Sequence, residues 1–356
     1  MSSVQKVGVL TFHRCINYGS YWQARCLVEG LRSAGHDAVL LDHRSPRVNR
    51  AEWRCALRPT LPDPAPPGDV PLYAAKARKF FRAFAALPLS EPFPLEEPRA
   101  MEPVDVLVVG SDEVWNFRHP WYAGYPLFFG EDAPARRLVS YAASFGSHDA
   151  ADRIDGSWAE RLKRFWRIGV RDDNSRRLVR DALGYDPVVV LDPCLQFPTI
   201  CRREPRAGVP RDVLVYGHSF PDWFVRQVRA WADDRRVRLV SLGYRNDWAD
   251  EQRLSAGPDE FAQAFADARA VVTNFFHGCV FSLVHEKPFV CAPSAYRSNK
   301  VANLAAAVGA ERRLVGEPSP AAAYAQALEA APDPSVGRRI ADLRQASAAY
   351  LDHALR

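Results

Sequence analysis

Short apolar, β-branched runs recur along the chain and alternate with longer segments whose apolar side chains return every three to four positions. Runs at 7–11, 38–41, 104–109, 137–143, 167–170 and 188–191 are of the kind that forms strands buried on both faces. A second set stands at 213–216, 237–242, 270–273 and 289–291. Helical spacing fills 20–34, 158–165, 222–231, 258–268 and 279–286, and two helices without a strand between them close the chain at 321–330 and 336–355. Strand and helix in alternation predict parallel sheets. Two successive sets predict an α/β fold with two Rossmann-like domains facing across a cleft.

The rhythm breaks between residues 45 and 100, where a proline-rich stretch at 59–71 reads as a surface excursion. The expected division is therefore 1–205 for the first domain, with an irregular insertion at about 45–100, and 206–330 for the second. The segment 331–356 is expected to be a helix packing back across both, through Ile340, Leu343, Ala346, Tyr350 and Leu351. Inside the excursion, 74–86 is a plausible helix with Lys76, Arg78, Lys79 and Arg82 among Phe80, Phe81 and Phe84. That pattern reads as a basic outer face over an aromatic inner one, and it also suits an anionic acceptor or a lipid carrier.

Ligands of an open parallel sheet sit outside the carboxyl ends of its strands, where helix N-termini offer free N–H groups to anions. Six loops qualify by position. Phe12 to Gly19 holds Arg14, Asn17 and Tyr18, and it lacks Gly-x-Gly-x-x-Gly, so no dinucleotide is indicated. Gly110-Ser111-Asp112-Glu113-Val114-Trp115-Asn116 follows the third run. Ser140 to Gly146, Arg171 to Ser175 and Asp192-Pro193 come next, and Asn274-Phe275-Phe276-His277-Gly278 ends the strand at 270–273. His277 stands where a phosphate or carboxylate would be held; capping or core packing is its other reading.

The 47% apolar and 25% charged residues are those of a soluble globular protein. A net charge of +5 favours small anions slightly and falls far short of a nucleic-acid binder's basic stripe. Seven cysteines without a Cys-x-x-Cys pair argue against zinc and disulfide scaffolds. With no hydrophobic leader and no apolar stretch long enough to span a bilayer, the expected location is cytoplasmic. Nothing in the sequence excludes an oligomer.

Taken together and in order, these motifs resemble the polysaccharide pyruvyl transferase family. The likeness rests on Phe12…Asn17-Tyr18-Gly19…Gln23, Val109 to Asn116, Ser140 to Gly146, Val170-Arg171-Asp172-Asp173…Ser175, Val190-Leu191-Asp192-Pro193, and Thr273 to Gly278 with Phe281-Ser282 and Lys287-Pro288-Phe289. Membership implies a glycosyltransferase-B-like fold with its site in the cleft. It also implies phosphoenolpyruvate as donor, no cofactor and no metal. The acceptor would be a sugar or glycan, lipid-linked or free, and the product a pyruvate ketal in surface-polysaccharide or metabolite biosynthesis.

The donor carries a carboxylate and a phosphate, so its pocket needs cations or N–H groups, and the chemistry needs an acid and a base. By resemblance Arg171 and Gly278 bind the donor and His277 is acid/base or phosphate ligand. An ion pair with Asp172 or Asp173 is the other reading of Arg171. Some members carry an arginine where Phe275 stands here, so another cation is expected to replace it: Arg297 or Lys300, then Arg14. Asp112 and Glu113 either take protons from the acceptor or cap their turn. Asn17, Tyr18 and Trp115 are acceptor-side candidates whose other readings are turn formation and, for Trp115, the core; Asp192 reads as a turn-former. Two alternatives stand beside this reading: a nucleotide-sugar glycosyltransferase, and a catalytically idle relative that binds a partner.

Overall fold

The computed structural model describes residues 5–61, 63–208, 212–293 and 298–356. Two compact units emerge. One takes the residues up to Glu52, Phe84–Ile200 and Ala341–Arg356; the other takes Trp53–Ala83 and Cys201–Ile340. The chain crosses from the first unit to the second after Ile200. The excursion is not a single insertion of the first unit, because Trp53–Ala83 pack with the second.

The first unit is built on β1 (Lys6–Leu10), β2 (Asp37–Leu40), β3 (Val104–Val109), β4 (Ala135–Ala143), β5 (Arg167–Val170) and β6 (Val188–Val189). They pair in the order β2-β1-β3-β4-β5-β6, and every pairing is parallel. Helices on both faces explain why β1 and β3 are almost wholly apolar and buried. The last helix, Pro334–Leu355, closes one face. Its Tyr350 hydroxyl donates to the Ser140 carbonyl at 2.7 Å, and its Ser347 hydroxyl accepts from the Leu191 N–H at 3.0 Å. A Cβ on Gly169 would lie 2.8 Å from the Tyr350 ring, so only glycine admits that aromatic. The buried side of the helix is Ile340, Ser347, Tyr350, Leu351 and Ala354, whereas Ala346 faces solvent.

The second unit holds β7 (Val213–Tyr216), β8 (Leu239–Leu242), β9 (Glu251–Arg253), β10 (Ala270–Thr273) and β11 (Phe289–Cys291), all parallel, in the order β9-β8-β7-β10-β11. The helix Val70–Ala85 belongs here: Lys79 pairs with Glu260, and Arg245 forks onto Asp69 just before the helix. Among the described residues no helix is long and apolar enough to cross a membrane.

In each sheet the strand order reverses once, between β1 and β3 in the first and between β7 and β10 in the second. Those are the points at which a doubly wound sheet opens a crevice for ligand.

Candidate active site

The reversal point of the first sheet is filled by a polar network. The Thr11 hydroxyl donates to the Ser111 carbonyl at 2.7 Å and accepts from Gln23 Nε2 at 3.0 Å, while the Ser111 hydroxyl donates to Gln23 Oε1. Every member is buried, so each hydrogen bond offsets a desolvation cost and the group is held in one arrangement. It fixes the turn that carries Asp112. Gly110 enters that turn at φ +114°, where a Cβ would fall on the Tyr141 carbonyl; Asp112 at φ +77° and Ala142 at φ +51° are left-handed without being glycine. Such conformations persist only where surrounding contacts enforce them, and they gather at functional sites.

Both Asp112 oxygens are committed. Oδ2 accepts from the Ser20 hydroxyl at 2.7 Å, and Oδ1 accepts from the Glu113 N–H at 2.9 Å with Arg171 Nη2 at 3.8 Å. Arg171 Nη1 reaches Asp192 Oδ2 at 3.2 Å. Its ion pairs are therefore with Asp192 and Asp112, while Asp172 caps the next helix through Ser175 and accepts from the Ser144 hydroxyl. Burial opposes the Arg171 charge, but Asp112 and Asp192, then Asp172 and Glu113, outweigh it and raise its pKa. The Arg171 and Asp192 side chains are 2% and 1% exposed against 13% for Asp112, so Asp112 is the member of this cluster that meets solvent. Glu113 is fixed by Asn116 Nδ2 at 2.9 Å, and its carboxylate lies where any Cβ on Gly146 would go.

Other candidates settle as scaffold. Asn17 caps the helix Tyr18–Ser33, accepting from the Ser20 N–H at 3.2 Å. Tyr18 is fully buried, so it is a core residue rather than an acceptor contact. Trp115 likewise is fully buried, donates to the Phe128 carbonyl at 2.8 Å and packs on Phe129, Phe145 and Phe165; it has no face for a sugar. Asp192 forms a turn and caps it, accepting from the Cys194 N–H at 3.0 Å. Arg14 turns to Asp42, with Nη2 at 2.7 Å, beside His13 at 3.2 Å. Burial alone would raise the Asp42 carboxyl, but hydrogen bonds from His13 and Arg14 hold it far below the usual range. His43, fully buried and facing His13, drops to about 3.

The second reversal point is aromatic. Phe275 is the N-cap residue of the helix Phe276–Val284 and packs edge-on against Tyr216, His218 and Tyr244, with centroids 5.1, 5.1 and 5.3 Å away. His277, one residue into the helix, is half-buried. Gly278 explains how the helix starts so close to β10: a Cβ there would collide with Thr273 Oγ1, which donates to the Tyr216 carbonyl at 2.6 Å and accepts from the Phe275 N–H at 3.1 Å. Asn274 donates to the His218 carbonyl at 2.7 Å.

One cation at this point has no local sequence signal. Lys76, from the helix Val70–Ala85, is 5% exposed; its ammonium donates to the Gly243 carbonyl at 3.0 Å and lies 4.8 Å from the centre of the Tyr244 ring. Only its place in a basic, aromatic helix hinted at it. Lys300 is half-buried on the helix Ser298–Val308, and Arg297 lies outside the described residues. The first point thus offers a fixed carboxylate, and the second an imidazole, a helix N-terminus and a buried ammonium.

Two doubly wound parallel sheets with these reversal points define a glycosyltransferase-B-like α/β enzyme of the transferase class. The chain belongs to the polysaccharide pyruvyl transferase family, whose sequence pattern matches residues 17–294. No curated protein matches it. Among solved structures it is similar to the UDP-GlcNAc 2-epimerase from Methanocaldococcus jannaschii, at 12% identity over 96% of this chain and 99% of that one, with a TM-score of 0.50. It is similar also to S. aureus MnaA in a co-structure with UDP, at 12% identity over 98% and 97%, TM-score 0.50. A third likeness, to the glycotransferase of kitacinnamycin, has 15% identity over 98% and 96% and a TM-score of 0.43. These likenesses concern the fold.

Proposed function

We propose that the protein moves the enolpyruvyl group of phosphoenolpyruvate onto two hydroxyls of one sugar and closes a pyruvate ketal. The observation that carries this reading, beside the family, is the buried hold on Asp112 at the first reversal point. A carboxylate held on both oxygens and still partly exposed suits the acceptance of a hydroxyl proton. The balance is simple. A proton adds to the donor's methylene carbon, the first sugar oxygen bonds to the cationic carbon and gives up its proton, and the second sugar oxygen displaces phosphate and gives up its own. One ketal and one inorganic phosphate result, and no cofactor or metal enters.

In this scheme Asp112, with Glu113 beside it, receives the hydroxyl protons, and Arg171 holds Asp112 in place. His277 supplies the proton to the methylene or holds the phosphate, helped by the N–H groups at Gly278. Lys76 takes over the charge that Phe275 cannot provide, with Lys300 and Arg297 as further donor contacts. A cytoplasmic location and an acceptor that is a glycan, lipid-linked or free, belong to the same proposal.

The half-buried rings of His218 and Tyr244 beside Phe275 favour a second reading, since they also suit the base of a nucleotide sugar. One assay separates them: phosphate release from phosphoenolpyruvate across a panel of acceptor glycosides, against nucleotide release from uridine and guanosine diphosphate sugars. Turnover of the nucleotide sugars alone would end the pyruvyl reading. Lys76→Met is expected to raise the KM for phosphoenolpyruvate roughly tenfold or more, the loss of one charge-assisted contact. Unchanged donor kinetics would move that role elsewhere.

A further inference from the structure

We propose that the second unit carries a docking surface for an anionic lipid bilayer, formed by the last turn of the helix Pro46–Leu57 and the outer face of the helix Val70–Ala85. The inference is independent of the donor assignment above. The inner face of Val70–Ala85 is already complete: Tyr73, Lys76, Ala77, Phe80 and Phe84 are buried. Phe81 is surplus to that face and stays 41% exposed. Trp53, 44% exposed, meets it edge-on with ring centres 5.7 Å apart. The two rings together leave an aromatic patch partly exposed to water.

The charges around the pair point to the partner. Arg54, Arg58, Arg78 and Arg82 are exposed, and among the described residues none of them pairs with a carboxylate. Among the other charges of this region, Lys79 binds Glu260, and Asp69 binds Arg245. Between Asp69 and Glu91 the chain has no acidic residue at all. Guanidinium groups flanking two rings match an interface in which rings settle at headgroup depth and arginines meet lipid phosphates. A soluble polyanion would use the arginines and leave the rings idle, so the exposed pair favours the bilayer.

The test is flotation of the full chain with neutral phosphatidylcholine vesicles and with vesicles that also contain phosphatidylglycerol. Binding to the anionic vesicles is expected to be about tenfold tighter or more and to weaken with salt. The double variant Trp53→Ser/Phe81→Ser should lose that binding while keeping its circular dichroism and its turnover of a water-soluble acceptor. Arg78→Gln/Arg82→Gln should lower affinity and flatten the salt dependence, and it serves alone if the aromatic variant misfolds. Equal affinity for neutral vesicles, no binding to either kind, or binding that the aromatic variant leaves intact would overturn the proposal. So would competition by a soluble acidic polysaccharide that depends on the arginines alone.

Discussion

The two reversal points occupy equivalent places in two similar sheets and are built from opposite materials. Around Asp112 the first sheet spends threonine, serine and glutamine in one hydrogen-bonded network, and an arginine ion-paired with two aspartates. Around His277 the second spends phenylalanine and tyrosine, with one lysine resting on a carbonyl and a ring face. A polar network of the first kind fixes a charge in position but leaves little freedom to rearrange. An apolar lining of the second kind strengthens any charge interaction made there, because little water screens it. The same fold thus presents a rigidly held carboxylate at one sheet and an aromatic-lined helix N-terminus at the other.

Substitutions break the contrast in a definite order. Arg171→Met leaves Asp192 and Asp112 facing each other without their shared cation, so unfolding in urea should show a loss of about 3–5 kcal/mol. Lys76→Met removes a hydrogen bond to a carbonyl and a ring contact, and should cost less. Next come Asp112→Asn and His277→Ala, each expected to slow turnover by roughly 10²–10⁴-fold without loss of secondary structure. Near-normal turnover in a folded His277→Ala protein would remove that imidazole from the chemistry. Gly278→Ala drives a methyl group into Thr273, and thermal melting should report about 1–3 kcal/mol of destabilisation.

Taken per pH unit and per histidine, the smallest effect is on acid stability. His43 titrates near 3 and His285 near 4 in the fold, both lowered first by burial, against about 6.5 for an unfolded chain. Below pH 6.5 the unfolded chain binds the extra protons, so stability falls with pH by ~1.4 kcal/mol per unit for each histidine, down to the folded values. The melting temperature followed from pH 7 to pH 4 checks this, and His43→Gln should remove about half of the slope.

Much of this was legible in the sequence because strand-end loops announce themselves. Apolar runs gave the strands of both sheets except the polar edge strand Glu251–Arg253, and the turns after them held Asp112, Arg171 and His277 where the structure has them. The loop motifs could not say which aromatic faced inward: Tyr18 and Trp115 carry the same letters in a core as at a sugar site, and only burial separates the two. The partners of Arg171 were hidden for a related reason, since Asp172 and Asp173 are adjacent in the chain while Asp192 follows the neighbouring strand β6 and Asp112 follows β3, two strands away. Lys76 lay furthest from view. Its contact with Gly243 spans 167 positions, and a sequence period on one helix does not tell which sheet receives it.

The path of the backbone has a temporal side. Because the helix bearing Ser347 and Tyr350 seals the first sheet, a ribosome must deliver all of the second unit before the first can close, although domains ordinarily mature from the N-terminus onward. A nascent chain halted after residue 340 would therefore hold a finished rear half and an unsealed front one, with the strand bearing Gly169 laid open to chaperones.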